Sequence, residues 1–208
     1  MIITIAHNKG GVGKTTLAMN LADGLHPDLI IDQDTHRSLV IINEIRPDQS
    51  RHNVATFDTS KELITALRTF DAGKLILIDC GGFDSEMNRI SIAAADFLIV
   101  PANDDLSELI GLRRFDEIID EIGTSMGKQI KANVLFNRAH PTRKNFDSAE
   151  SFISKSKHLR RMNSVICLRR AYPDCLNNGF GVLGRTATKH SAAGVEFEAL
   201  VNEIKAMI

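Results

Sequence analysis

A short β-branched run, Met1 to Ala6, passes at once into Lys9-Gly10-Gly11-Val12-Gly13-Lys14-Thr15-Thr16, and an apolar repeat of Leu17, Leu21 and Leu25 follows at four-residue spacing. This order of strand, glycine-rich turn and helix (Thr15 to Leu25) constrains the chain more than any other feature. Three glycines allow consecutive backbone N–H groups to converge on one point without Cβ interference, and the start of a helix adds the positive end of its dipole. A turn of this composition in this context cradles phosphate: Lys14 is placed to reach the β/γ-phosphates and the Thr15 hydroxyl to bind Mg²⁺.

Beyond the loop, strand-like and helix-like patterns alternate. Strands are expected at Leu29–Asp32, Lys74–Asp79, Phe97–Val100, Ala132–Asn137 and Ser164–Leu168. Helices are expected at Lys61–Phe70, Ser85–Ala95, Leu106–Ile122, about Phe146–Lys157 and Ala192–Met207. KLILID is apolar on both faces, as a parallel strand covered by helices must be. The fold class is therefore α/β, a single doubly wound and mostly parallel sheet flanked by helices, read as one domain over residues 1–208. Such sheets bind ligands outside the carboxyl ends of their strands. Glu44 to Ser60 is the longest polar connection and is expected to be a mobile loop.

The carboxylates fit that geometry. Asp32 and Asp34 stand at i and i+2 after the second strand, so their side chains point the same way and can converge on a metal or its waters. Asp79 closes the hydrophobic run of the third expected long strand, Leu75 to Ile78, the pattern of a carboxylate that holds Mg²⁺ directly or through water. Gly81-Gly82 follows as a candidate switch that senses the γ-phosphate. His36 is read as a solvent-exposed loop residue and Cys80 as a small buried thiol.

Asn8 occupies the place of the first glycine of the strict pattern, and K-G-G-V-G-K-T-T resembles the deviant Walker-A loop of the ParA/MinD family of ATPases, closest to the small plasmid-type ParA partition ATPases. The resemblance implies a P-loop NTPase fold and identifies Lys9 as a signature lysine that contacts the nucleotide of an opposite subunit, so that two ATPs are sandwiched in a homodimer. It further implies catalytic roles for Lys9, Lys14 and Asp34, with Asp34 positioning the attacking water. Nucleotide binding falls to Lys9, Gly10, Gly11, Val12, Gly13, Lys14, Thr15, Thr16, Asn137 and Arg138, and metal binding to Thr15, Asp32 and Asp79, with Asp32 in the outer shell. Thr35 and His36 stand where the family's D-x-D-P-Q motif has Pro and Gln. Asn137 resembles the adenine-reading Asn; the carboxamide offers donor and acceptor together, and no Asp-bearing guanine motif is present. A second wall of the base pocket is expected after Leu168, around Tyr172 to Asp174. IVPANDDLSELIGL and VICLRRAYPDCLNNGFGVLG extend the likeness over nearly the whole chain.

Composition narrows the load that such an engine moves. The 208 residues are 43% hydrophobic and 25% charged, which excludes disorder as the main state. No apolar run reaches the roughly 18 residues of a membrane span, and the N-terminus has no secretory pattern, so a cytoplasmic protein is expected. Cys80, Cys167 and Cys175 have the spacing of neither a disulfide framework nor a zinc knuckle. The net charge is −1, yet Lys128 to Tyr172 carries 11 basic against 2 acidic residues. If these cations gather on one face they form a salt-sensitive DNA-backbone patch; the candidates are Arg143, Lys144, Lys155, Lys157, Arg160, Arg161, Arg169 and Arg170. The family then implies a nucleoid-associated partition ATPase: an ATP-bound dimer on nonspecific DNA, released when a ParB-like centromere-binding activator stimulates a slow hydrolysis. Alternatives are a MinD-like positioning ATPase, disfavoured at a membrane because EFEALVNEIKAMI has one lysine against three glutamates, and a metabolic or maturation ATPase on the same loop.

Overall fold

A computed structural model describes residues 1–143 and 145–208. The elements run β1 (Ile2–Ile5), α1 (Lys14–Leu25), β2 (Leu29–Asp32), α2 (Ser38–Glu44), β3 (Val54–Ala55), α3 (Ser60–Thr69), β4 (Ile76–Asp79), α4 (Glu86–Ala94), β5 (Phe97–Ala102), α5 (Leu106–Met126), β6 (Ala132–Ala139), α6 (Asp147–Ile153), β7 (Leu159–Cys167), α7 (Ala171–Leu176), α8 (Thr186–Lys189) and α9 (Ala192–Met207). All seven strands form one parallel sheet in the order β3-β2-β4-β1-β5-β6-β7.

Period-two alternation sends successive side chains of each strand to opposite faces. Ile3, Ile5, Ile30, Leu77, Ile99 and Leu135 pack on one face against Leu17, Leu21, Phe197 and Leu200 of α1 and α9. Ile31, Ile76, Ile78, Leu98, Val100, Val134 and Phe136 pack on the other against Leu63, Ile92, Leu112, Phe115 and Ile119 of α3, α4 and α5. Each such side chain contributes roughly 1.5–3 kcal/mol on burial, so the central strands have no polar face to spare. The buried exception on β1 is Thr4, whose hydroxyl donates to the Ser91 carbonyl of α4 at 3.0 Å.

Because β1 lies between β4 and β5, with the chain winding left of it first and right of it afterwards, the loop after β1 opens at the topological switch point. Local signals start and stop several helices. Thr59 and Glu62 form a capping box on α3, Ser85 and Ser191 cap α4 and α9, and Gly127 ends α5 in the left-handed region at φ 62°.

Two expectations change. The Glu44–Ser60 connection is not an open loop. It contains a 3-10 turn (Asp48–Ser50) and the edge strand β3, which pairs with β2 through Ile30 and Ile31. Its anchor is buried: Arg46 donates to Asp23 of α1 at 2.6 Å, His52 lies 3.1 Å from the same carboxylate, and Arg46 stacks over Phe180 at 4.4 Å. Hydrophobic periodicity carries no trace of such long-range polar contacts. Likewise the helix expected to Lys157 stops at Ile153, and β7 starts at Leu159 rather than Ser164. Ser156 makes the break, its Oγ accepting from the amides of His158 and Leu159 at 3.0 and 3.1 Å. The exposed Arg160 and Arg161 hide the strand pattern, as charges on an edge strand do.

Asp23 also accepts from the Gly181 amide at 2.6 Å, so one carboxylate ties α1, the 44–60 connection and the C-terminal segment together. Burial pushes its pKa up, but the bonds from His52 and Arg46 outweigh that and hold it below the usual carboxylate range. The stabilisation is therefore present above the unfolded-state value and is lost as pH falls through the depressed native one. Asp23→Ala, which strands a buried guanidinium, is expected to cost about 3–5 kcal/mol in urea unfolding at pH 7, with the gap to the wild type closing below the ordinary carboxylate range.

Candidate functional site

The loop after β1 is shaped by two left-handed glycines, Gly11 at φ 78° and Gly13 at φ 92°. Gly13 is the N-cap of α1; no side chain caps the helix and no acid sits in its first turn. The first N–H groups of α1 are thus left for an anion. The end of β6 fastens the loop from the side: Asn137 Nδ2 donates to the Val12 carbonyl at 2.8 Å and Arg138 Nη1 to the Gly11 carbonyl at 2.5 Å. A Cβ on Gly13 would lie 2.6 Å from that Asn137 nitrogen. The expected adenine reader therefore gives one of its two N–H donors to the loop itself.

The two lysines of the loop part company. Lys14 is buried, its Nζ donates to the Lys9 carbonyl at 3.0 Å, and burial lowers its pKa. Lys9 turns outward to α5, where Nζ meets Glu108 Oε1 at 2.6 Å and Ser107 Oγ at 3.1 Å. Its amide donates to His7 Nδ1 at 3.0 Å. His7 stacks on Phe115 with centroids 5.6 Å apart, and burial together with Lys14 and Lys9 pushes its pKa down to about 3, so it stays neutral.

Three carboxylates lie at the strand ends. Asp79 is fully buried, and neither oxygen has a hydrogen-bond partner among the described residues. Burial pushes its pKa up to about 8 against the opposing influence of the Thr15 hydroxyl and Lys14. Asp32 stands opposite Asp79 in the β2–β4 register, but its oxygens accept from the amides of Asp34 (3.0 Å), Leu39 (3.1 Å) and Val40 (3.2 Å). It builds the turn and caps α2, a structural task that the outer-shell metal role did not foresee. Asp34 is half-buried and accepts from the His36 amide at 2.9 Å; His36 itself is exposed. Cys80 is buried, which pushes its thiol up to about 12 and keeps it un-ionised at neutral pH.

The donor set fits a magnesium-bound phosphate group. Among the described residues no cluster of three or more His, Cys, Asp or Glu could hold a metal alone. Mg²⁺ ordinarily takes one or two carboxylates and completes its shell with water and substrate phosphates. Asp79 supplies an orphaned buried carboxylate and Thr15 a hydroxyl beside it, while the open end of α1 faces the same space.

Several residues here carried no sequence signal. Asn88 of α4 holds the segment after β4: its Oδ1 accepts from the Gly81 amide at 3.2 Å and its Nδ2 donates to the Phe83 carbonyl at 2.5 Å. The loop contact is close, since a Cβ on Gly82 would lie 2.8 Å from Gly10 Cα. His7 and Glu108 were missed for the same reason, a role set by contacts distant in sequence. On the base side a cleft of about 110 Å³ lies between Gly13, Thr16, Asn137 and a wall of Leu168, Arg169, Tyr172 and Pro173. Tyr172 and Pro173, expected in that wall, line this cleft, and Asp174 pairs with Arg170 at 2.9 Å.

Among the described residues, four arginines of the basic segment are paired with carboxylates. Arg143 pairs with Asp104, Arg161 with Glu150 at 3.1 Å, Arg169 with Glu196 at 2.5 Å and Arg170 with Asp174. Arg169 belongs to the base cleft. Lys155, Lys157 and Arg160 are exposed and have no carboxylate partner among the described residues; Lys155 and Lys157 precede β7 and Arg160 lies at its start, whereas Arg170 follows its far end. Lys144 lies outside the described residues.

A parallel sheet with a glycine-rich loop between β1 and α1 has counterparts among known proteins. Residues 1–69 match a family model described as an AAA domain. Protein ParA of Rhizobium radiobacter is 25% identical over 146 residues, 67% of this chain and 65% of that protein, so the match spans about two thirds of the relative's length. Among solved structures, the ATP complex of a McdA variant from Cyanothece superposes with a TM-score of 0.74 at 17% identity, covering 98% of this chain and 96% of that one. The cell division ATPase MinD of Pyrococcus furiosus superposes with a TM-score of 0.70 at 17% identity, covering 100% and 99%. The structural matches show that the chain shares its fold with these proteins.

Asp79 makes a measurable prediction in the absence of nucleotide and metal. An acid neutral in the folded state and ionised in the unfolded one lowers stability as pH rises from about 4 toward its native pKa. The stability of Asp79→Asn relative to wild type is therefore expected to rise by about 1 kcal/mol or more between pH 5 and pH 8. Parallel urea midpoints at the two pH values would count against an orphaned carboxylate.

Proposed function

We propose that this chain is an ATP-hydrolysing partition or positioning ATPase whose ATP-bound pair engages nonspecific DNA. The carrying observation is the division of labour between the two loop lysines: Lys14 is buried against the loop, while Lys9 stands outside it. A second cation beside one triphosphate is redundant for a single subunit, since Lys14 already serves the γ-phosphate. It acquires a purpose when it reaches the nucleotide of a second copy.

In this reading Thr15 and Asp79 would hold a Mg²⁺ ion, which would supply charge neutralisation at the phosphates. Gly10 to Thr16 present the backbone donors and the open α1 terminus. Beside a bound cation Asp79 would be ionised at neutral pH. Asp34 orients the attacking water, and the 81–83 segment, packed on Gly10 and pinned by Asn88, relays the change at the γ-phosphate. Catalysis waits for a ParB-like activator. Pairing doubles whatever cationic surface one subunit offers, and avidity then turns weak phosphate contacts into retention. Lys155, Lys157 and Arg160 are the candidates for those contacts. Among the described residues no helix is long and apolar enough to cross a membrane, and α9 lacks the basic face that membrane attachment requires.

DNA retention measured against salt with ATP, ADP and no nucleotide tests the scheme. Wild type is expected to be retained with ATP alone and released steeply by salt, and Lys9→Ala to be retained under none of the three conditions. Nucleotide-independent retention, or equal retention by Lys9→Ala, removes the dimer switch. Separately, Asp34→Ala is expected to bind ATP and pair stably while turnover falls by about a hundredfold or more. Normal turnover by that variant would take the water-positioning role from Asp34.

A further inference from the structure

Glu196 lies on α9, far in sequence from every motif of the site, yet its carboxylate gathers the whole outer wall of the base cleft. Oε1 accepts from Arg169 Nε at 3.0 Å and Nη2 at 2.5 Å; Oε2 accepts from the Cys167 amide at 3.2 Å and from the Tyr172 hydroxyl at 3.1 Å. The three partners sit on different pieces of chain: the end of β7, the connection after it and α7. Phe197, the next residue of α9, meets the Tyr172 ring edge-on at 5.4 Å and 72°. Cys167 belongs to the edge strand β7, so its amide finds no partner in a further strand. Arg169 has no other carboxylate partner among the described residues.

We propose that Glu196 is the positioning residue of base recognition, setting Arg169 and Tyr172 at the distance from Asn137 and Gly13 that admits a flat purine. The inference rests on the nucleotide reading above and adds to it which residue fixes specificity. A carboxylate with four donors is well satisfied, and charge-assisted bonds of this kind are about twice as strong as neutral ones. Removing it leaves the Arg169 guanidinium and the Tyr172 hydroxyl without their acceptor, so the wall swings free. None of the bonds of the phosphate loop involves Glu196: Asn137, Arg138 and Lys14 close the loop on its own carbonyls. Base affinity and phosphate affinity are therefore separable at this one side chain.

Calorimetric titration with Mg-ATP and with Mg-tripolyphosphate, which has no base, makes the separation visible. Glu196→Ala is expected to weaken ATP about tenfold and to draw the ATP and GTP affinities together, while tripolyphosphate changes by less than about twofold. Glu196→Gln keeps one acceptor oxygen and the volume of the side chain, so it is expected to fall between wild type and Glu196→Ala; paired with Tyr172→Phe it carries the same comparison should Glu196→Ala fail to fold. Parallel losses for ATP and tripolyphosphate would make Glu196 a merely structural residue, and unchanged ATP affinity would overturn the proposal outright. If wild type binds tripolyphosphate but gains nothing from the base, the cleft is not a base site and the inference falls alone. If wild type binds neither, the nucleotide reading falls first.

Discussion

Burying a carboxylate without a hydrogen-bond partner is among the more costly things a small protein can do, and Asp79 sits in that state at the centre of the sheet, facing Asp32 across the β2–β4 register. Native interiors keep such groups where they hold strain, a proton or an ion. Lys14 carries the opposite charge into the same region, where burial disfavours its charged form, and no side chain caps the end of α1. A site so composed is incomplete alone and gains from a dication bound to a polyanion. The left-handed glycines, the approach of Gly82 and the clamp from Asn137 fix the shape of the loop around that space.

The sheet gives this arrangement its rigidity. Both faces of β1, β4 and β5 are covered, so the strands carry apolar residues at successive positions and cannot slip by one residue without exposing a core face. Loops at the carboxyl ends inherit that fixed register. The backbone positions of Asp32, Asp79 and the start of the phosphate loop are thus set by the hydrogen-bonded sheet.

Charge behaves differently from hydrophobicity along this chain. The excess of cations between Lys128 and Tyr172 looks uniform in one dimension. In three dimensions Arg143, Arg161, Arg169 and Arg170 each meet a carboxylate, three of them, Asp104, Asp174 and Glu196, from outside the segment. Arg169 and Glu196 end up on the base side of the site. The polar Glu44–Ser60 stretch is likewise drawn in by Asp23, from 23 and 29 positions upstream of Arg46 and His52.

The amino-acid sequence alone determined the α/β alternation, the phosphate loop, the placement of Asp32, Asp34 and Asp79 at strand ends, and the bounds of β2 and α9, because each rests on short-range periodicity or on residues adjacent in the chain. Tertiary structure decided what each polar group does once there. It turned Asp32 into a cap for α2, gave an Asn137 donor to the loop, set Lys9 on Glu108, assembled β3 and the early half of β7, and brought Glu196 to Arg169 and Tyr172. A hydrogen bond or ion pair needs only two atoms to meet, whatever the chain between them, so no period in the sequence records it; a buried face must repeat along its element, and so it is written there.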